Sequence, residues 1–139
     1  AAHFTVIDQP MDQHTLFRTL CAQLEREGFV DAQFLGSVVE REAIVSTMLG
    51  DGIALPHSLG LLAHKTPGYT VLAPQGIAWG DETAHVIFLL AISKSEYEEA
   101  MAIYDLFVTF LRERAMPRLR ECRDFDGFLA VATECVTRF

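Results

Sequence analysis

Cationic residues are scarce in this chain: 11 Lys and Arg stand against 19 Asp and Glu, a formal net charge of −8 at pH 7. Neutralising a phosphate backbone takes clustered Lys and Arg, so direct nucleic-acid binding by this segment is excluded. Cysteine is scarce too. Cys21, Cys122 and Cys135 are odd in number and form no Cys-x-x-Cys pair, which argues against a disulfide framework and fits reduced thiols in a cytoplasmic protein. No apolar run approaches the ~18 residues of a membrane span, and no signal peptide is visible. Also absent are an internal repeat, a low-complexity tract and an interdomain linker. Residues 1–139 therefore read as one domain, long enough to bury roughly two-thirds of the surface its unfolded chain exposes. The start at Ala1-Ala2, without methionine, gives the expectation of a domain excised from a longer chain.

What the sequence does have is one organising stretch, Gly50-Asp51-Gly52-Ile53-Ala54-Leu55-Pro56-His57-Ser58. The two glycines permit positive φ and a tight turn after Leu49. Ile53-Ala54-Leu55 is too short for a helix and reads as a brief buried strand. Pro56 fixes its own φ and keeps Leu55 extended. His57 is thereby placed at the carboxyl end of a strand, where open α/β sheets keep their ligand sites. A neutral imidazole there can attack phosphorus or a carbonyl carbon, or bind a metal. The plainer alternative is a surface or core histidine beside a turn. His64 is seven residues on, but Pro56 and Gly60 break any helix between them, and no Cys or carboxylate is spaced to complete a zinc set, so no metal site is expected.

Elsewhere the chain alternates helices and strands. Phe4–Ile7 reads as an edge strand. A helix opening near Met11 or Asp12 carries Leu16, Phe17, Leu20, Cys21 and Leu24 as an apolar stripe and stops at Gly28. A second helix is expected from about Asp31 to Gly50, with Phe34, Leu35, Val38, Val39, Ala43, Ile44 and Leu49 inward and Ser46 and Thr47 in its last turns. Pro74-Gln75-Gly76 separates two expected strands, Tyr69–Ala73 and Ile77–Trp79. Trp79 reads as half-buried, with a sugar-stacking platform as the sharper alternative. The unbroken apolar run Val86–Ile92, headed by a structural His85, indicates a central strand covered on both faces. Ser95 and Glu98 are in capping-box spacing at the start of a helix reaching about Arg114, whose amino terminus can hold an anion. A short helical piece follows Pro117, and a final helix starts at Asp124.

The run from Glu40 to His57, with Arg41-Glu42, Ser46-Thr47, the glycine turn and Ala54-Leu55-Pro56-His57, resembles the active-site signature of the fructose/mannitol-type enzyme IIA domain of the bacterial sugar phosphotransferase system. The resemblance continues through Gly76–Trp79, Val86–Ala91 and the helix after Glu96. It implies an α/β fold with a central mixed sheet of about five strands and helices on both faces. By the same resemblance, His57 accepts a phosphoryl group from the phosphocarrier protein HPr and can pass it to a IIB domain, with Arg41 beside the phosphate. Gly52, Thr47, Ser95 and Glu96 are expected phosphate contacts, and no cofactor is needed. Bottom-up, Arg41 suits the part because a guanidinium holds phosphate oxygens bidentately; a solvated charge paired with Glu40 or Glu42 is the alternative. Tyr97 stands where the family has a second histidine. That departure implies a regulatory module of a sugar-operon transcriptional regulator or antiterminator, with a transport component as the alternative. An acidic surface suits a basic partner such as HPr, and equally serves solubility alone.

Overall fold

The computed structural model describes residues 3–9, 11–44, 46–57, 68–90 and 97–137. Five strands form one mixed sheet: β1 (Phe4–Val6), β2 (Met48–Gly50), β3 (Ile53–Ala54), β4 (Gly68–Trp79) and β5 (Glu82–Leu90), in the order β1-β4-β5-β3-β2. β1 pairs parallel with β4 and β3 parallel with β5, while β4–β5 and β2–β3 are antiparallel. The helices are α1 (Gln13–Arg26), α2 (Gln33–Ile44), α3 (Tyr97–Arg112), α4 (Met116–Arg120) and α5 (Phe125–Thr137).

Strand alternation divides the core into two layers. On one face Tyr69, Val71, Ala73, Ile87 and Leu89 meet the α1 stripe (Leu16, Phe17, Leu20, Cys21 and Leu24) together with Phe34 and Val38 of α2. On the other, Leu72, Val86, Phe88 and Leu90 meet Phe107 and Phe110 of α3, Leu119 of α4 and Phe128 of α5. Helices therefore cover both faces, as expected, with β5 central and β1 at an edge. Asp12 caps α1 by accepting the Thr15 N–H at 2.6 Å, which satisfies one of the donors a helix start leaves open. The three cysteines are free and buried, and burial pushes the Cys21 thiol up to about 12.

Four local expectations are corrected. The second helix ends at Ile44, and residues 48–50 form β2. The Glu42 carboxylate takes the Thr47 N–H, and Ser46 Oγ takes the Met48 N–H, so side chains satisfy backbone donors that a longer helix would have used. Asp51 and Gly52 both have positive φ, 48° and 78°, as a type I′ hairpin turn demands. Ile44 is consequently 65% exposed instead of buried. The stretch 68–79 is one strand whose register shifts between Leu72 and Ile77, not two strands. Gly76 at φ 84° accommodates that shift, and His85 Nδ1 donates to Ala73 O at 3.0 Å beside it. Trp79 is 1% exposed, edge-on to Phe17 with ring centroids 5.5 Å apart, and so presents no stacking face.

Candidate functional site

His57 lies three residues beyond β3 and forms a parallel bridge with Leu90, the last residue of β5. The Leu90 N–H donates to Pro56 O at 3.0 Å, which holds the carboxyl ends of the two parallel strands together. Proline at 56 loses nothing here, because only its carbonyl is used. The half-buried imidazole has Nδ1 2.9 Å from Leu55 O. A carbonyl only accepts, so in the neutral ring Nδ1 carries the proton. Nε2 is then the atom with the free lone pair, and the backbone has selected a tautomer with one nucleophilic nitrogen.

Ile53, Leu55 and His57 alternate onto the α3 face of the sheet. There His57 opens on a cavity of ≈ 160 Å³ that it lines with Leu55, Leu90, Met101 and Tyr104. Tyr104 on its rim is 39% exposed. This apolar flank was missed, and a signal for it existed. Met101 and Tyr104 fall four and seven positions after Tyr97, a spacing that places all three positions on one helix face.

The path from α2 to His57 is set by hydrogen bonds. Leu55 N–H donates to Thr47 O at 3.1 Å, so the segment leaving α2 lies against the strand that leads to His57. Arg41 is half-buried in the last turn of α2, three residues before the helix ends at Ile44. Thr47 is buried, and both its donors are engaged: its N–H meets Glu42 Oε2 at 2.7 Å and its hydroxyl meets Glu42 Oε1. No Thr47 donor remains for an anion, and Glu42 emerges as the residue that fixes this corner.

Gly52 is not at the site. It sits in the hairpin turn before β3, five residues from His57 along extended chain, on the order of 16 Å at about 3.3 Å per residue. Its carbonyl accepts the N–H groups of His85 (2.8 Å) and Val86 (3.0 Å) in the middle of β5. An added Cβ would come 3.2 Å from the His85 ring and 3.3 Å from Met116, so close packing explains this glycine. Ser95 and Glu96 lie outside the described residues, as do His64 and the Tyr97 side chain; Tyr97 itself is the first residue of α3. Among the described residues no three His, Cys, Asp or Glu side chains converge as metal ligands, and no helix is long and apolar enough to cross a membrane.

A family model described as "Phosphoenolpyruvate-dependent sugar phosphotransferase system, EIIA 2" matches residues 2–134. The chain is 28% identical over 112 residues to the mannitol-specific phosphotransferase enzyme IIA component of Staphylococcus aureus, covering 77% of this chain and 75% of that protein. It is 26% identical over 84 residues to the transcriptional regulator ManR of Bacillus subtilis, covering 60% of this chain. The match spans only 13% of ManR, and only 10% of a multiphosphoryl transfer protein of Rhodobacter capsulatus that is 32% identical over 83 residues, 57% of this chain. Among solved structures, the complex of enzyme IIA and phosphorylated enzyme IIB for mannitol from Escherichia coli superposes with a TM-score of 0.80 at 20% identity. It covers 96% of both chains and bears out the fold.

Proposed function

From the premise that the chain belongs to the EIIA type 2 family of the phosphoenolpyruvate-dependent sugar phosphotransferase system, we propose that it accepts a phosphoryl group on His57 Nε2. The observation that carries this reading is the Nδ1–Leu55 O hydrogen bond at the edge of the sheet. In-line attack by Nε2 forms a P–N bond as the P–N bond to the HPr phosphohistidine breaks; that ring carries a proton on its other nitrogen, so HPr leaves with its imidazole neutral. The Nδ1 proton stays on His57 and steadies the phosphorylated ring against the carbonyl. Transfer of this kind is mostly positioning and charge stabilisation. Arg41 supplies the cation for the phosphoryl oxygens, and the amino terminus of α3, at Tyr97, supplies donors and a favourable dipole. The apolar rim of Leu90, Met101 and Tyr104 keeps water from one side of the reacting nitrogen and offers a dry contact for the incoming carrier. The reaction as drawn needs no metal or organic cofactor and proceeds in the cytoplasm, where phospho-HPr is made.

In this reading the phosphorylated domain is the regulatory module of a transcriptional regulator of a sugar-uptake operon. Tyr97 in place of the family's second histidine supports it, because a phenol donates a hydrogen bond but does not relay charge as an imidazole does. Likeness to ManR also supports it. A second reading, a IIA component that hands the phosphoryl group to a IIB domain, is favoured by the 75% coverage of the mannitol component.

The test is incubation with phosphoenolpyruvate, enzyme I and HPr, followed by intact-protein mass and acid lability of the label. One acid-labile phosphoryl group on the parent, none on His57→Ala and at least tenfold slower uptake by Arg41→Ala are expected. Undiminished labelling of His57→Ala sinks the assignment. Rapid onward transfer to a IIB domain decides for the second reading.

A further inference from the structure

Five of the 11 cationic residues, Arg112, Arg114, Arg118, Arg120 and Arg123, fall between positions 112 and 123, against two acids there, Glu113 and Glu121. The turn from α3 into α4 faces the β2–β3 hairpin there across a cleft of ≈ 640 Å³, lined by Asp51, Leu111, Arg114, Met116, Pro117 and Arg120. That volume is in the range of small-molecule sites. Asp51 precedes β3 and His57 follows it, six residues on, so the cleft is on the order of 20 Å from the imidazole at about 3.3 Å per residue.

Two features set the cleft apart from an ordinary hollow. Arg114 closes α3 in the left-handed region at φ 51°, with the Ala115 N–H on Phe110 O at 2.9 Å. Glycine is favoured in that position, yet an arginine occupies it, and among the described residues its guanidinium has no partner. Asp51, also left-handed at φ 48°, lines the same cleft, and among the described residues its carboxylate is likewise unpartnered. The neighbouring cations are more constrained. Arg118 pairs with Glu134, and Arg123 donates to the carbonyls of Arg120 and Cys122. Arg120 donates through Nη2 to Pro74 O at 3.1 Å, which anchors its side chain in the cleft wall and leaves the rest of its fork unpaired among the described residues.

We propose that this cleft binds a small phosphate monoester with a hydroxylated carbon skeleton. Two guanidiniums match a dianionic phosphate in charge and in fork geometry. Asp51 repels a second anionic group, which disfavours dicarboxylates, and accepts a hydroxyl hydrogen bond. Leu111, Met116 and Pro117 provide an apolar floor, and among the described residues of the lining there is no aromatic ring on which a nucleobase could stack. The site stands independently of the chemistry assigned to His57.

Titration of the ¹⁵N-labelled chain at constant ionic strength with glucose 6-phosphate, glycerol 3-phosphate, inorganic phosphate, glucose and sulfate tests it. Saturable amide shifts at Asp51, Gly52, Arg114 and Arg118–Arg120 are expected with at least one of the two esters, and none with glucose. Inorganic phosphate should require at least a tenfold higher concentration. Arg114→Gly and Arg120→Gln should each weaken ester binding at least fivefold, and Asp51→Gly should abolish the preference for ester over inorganic phosphate. Arg114→Gly should melt no lower than the parent, so a lost signal there is not unfolding. Absence of saturable shifts with both esters overturns the proposal. So do shifts matched by sulfate (an adventitious ion only), inorganic phosphate binding as tightly as the esters, or ester binding unmoved by the arginine variants.

Discussion

Replacing Thr47 by valine removes one hydroxyl from a site that is 6% exposed, with little change of shape. In the structure that hydroxyl and the Thr47 N–H together grip both oxygens of Glu42. A hydrogen bond to a charged group contributes about 1.5–3 kcal/mol, so Thr47→Val should lose about that much. Glu42→Ala leaves both buried donors without their acceptor and should lose about 3 kcal/mol or more. The double variant should lose less than the sum, with a coupling of about 1.5–3 kcal/mol. At an m-value of about 2 kcal/mol/M, the urea midpoint of Thr47→Val should fall by about 1 M. Because Thr47 O also accepts the Leu55 N–H, the clasp aligns the approach to His57, and phosphoryl uptake from HPr should slow severalfold. The reasoning is refuted if the midpoint moves by less than about 0.3 kcal/mol equivalent while phosphoryl uptake collapses. That pattern belongs to a hydroxyl that touches the phosphoryl group directly, the role the sequence motif suggested for Thr47.

Two further expectations concern stability. Gly76→Ala puts a Cβ 2.4 Å from Thr83 Cγ2 and 3.1 Å from His85 Cε1 at φ 84°; left-handed strain of about 1–2 kcal/mol and overpacking of about 1–3 kcal/mol add. Gly80→Ala, with nothing within 4 Å at φ 62°, should lose only the strain, and urea midpoints of the two variants separate the contributions. Folding holds the Asp12 carboxyl below its ordinary 3.8 through the Thr15 N–H, and the Glu27 carboxyl below its ordinary 4.5 through the His3 hydrogen bond. Both contribute stability that is complete above those ordinary values and is lost as pH falls through the lower folded ones. Asp12→Ala should therefore flatten the acid limb of a midpoint-against-pH curve and leave its shape between pH 6 and 8 unchanged.

The two-layered core was legible because its signals are periodic and local. The α1 stripe Leu16, Phe17, Leu20, Cys21 and Leu24 is buried throughout, and the run through Val86–Leu90 is the central strand that its unbroken apolar character required. The segment between α2 and β3 was less legible. Residues 40–49 have helical spacing, but what ends the helix at Ile44 is a contest between side-chain and backbone acceptors. Glu42 takes the Thr47 N–H and Ser46 takes that of Met48. Propensity arguments average over such short-range bonds, and here two of them redirect the chain into a strand.

Gly52 illustrates a more general gap between motif and site. It and His57 belong to one continuous signature, and nearness in sequence suggested a shared phosphate. An extended strand lies between them, so their separation is nearly the full contour length. The strand delivers Gly52 to His85 and Met116 and delivers His57 to Leu90 and the cavity under Tyr104. One half of the signature therefore encodes a hairpin tight enough to start β3, and the other half encodes the imidazole three residues beyond its end. Arg41 precedes both in sequence. Between it and β3 the chain reverses at Asp51-Gly52, where β2 and β3 pair antiparallel. The hairpin glycine serves the strand pairing and the packing on His85 and Met116, and a residue in such a role is invisible to any argument that assigns chemistry by proximity along the chain.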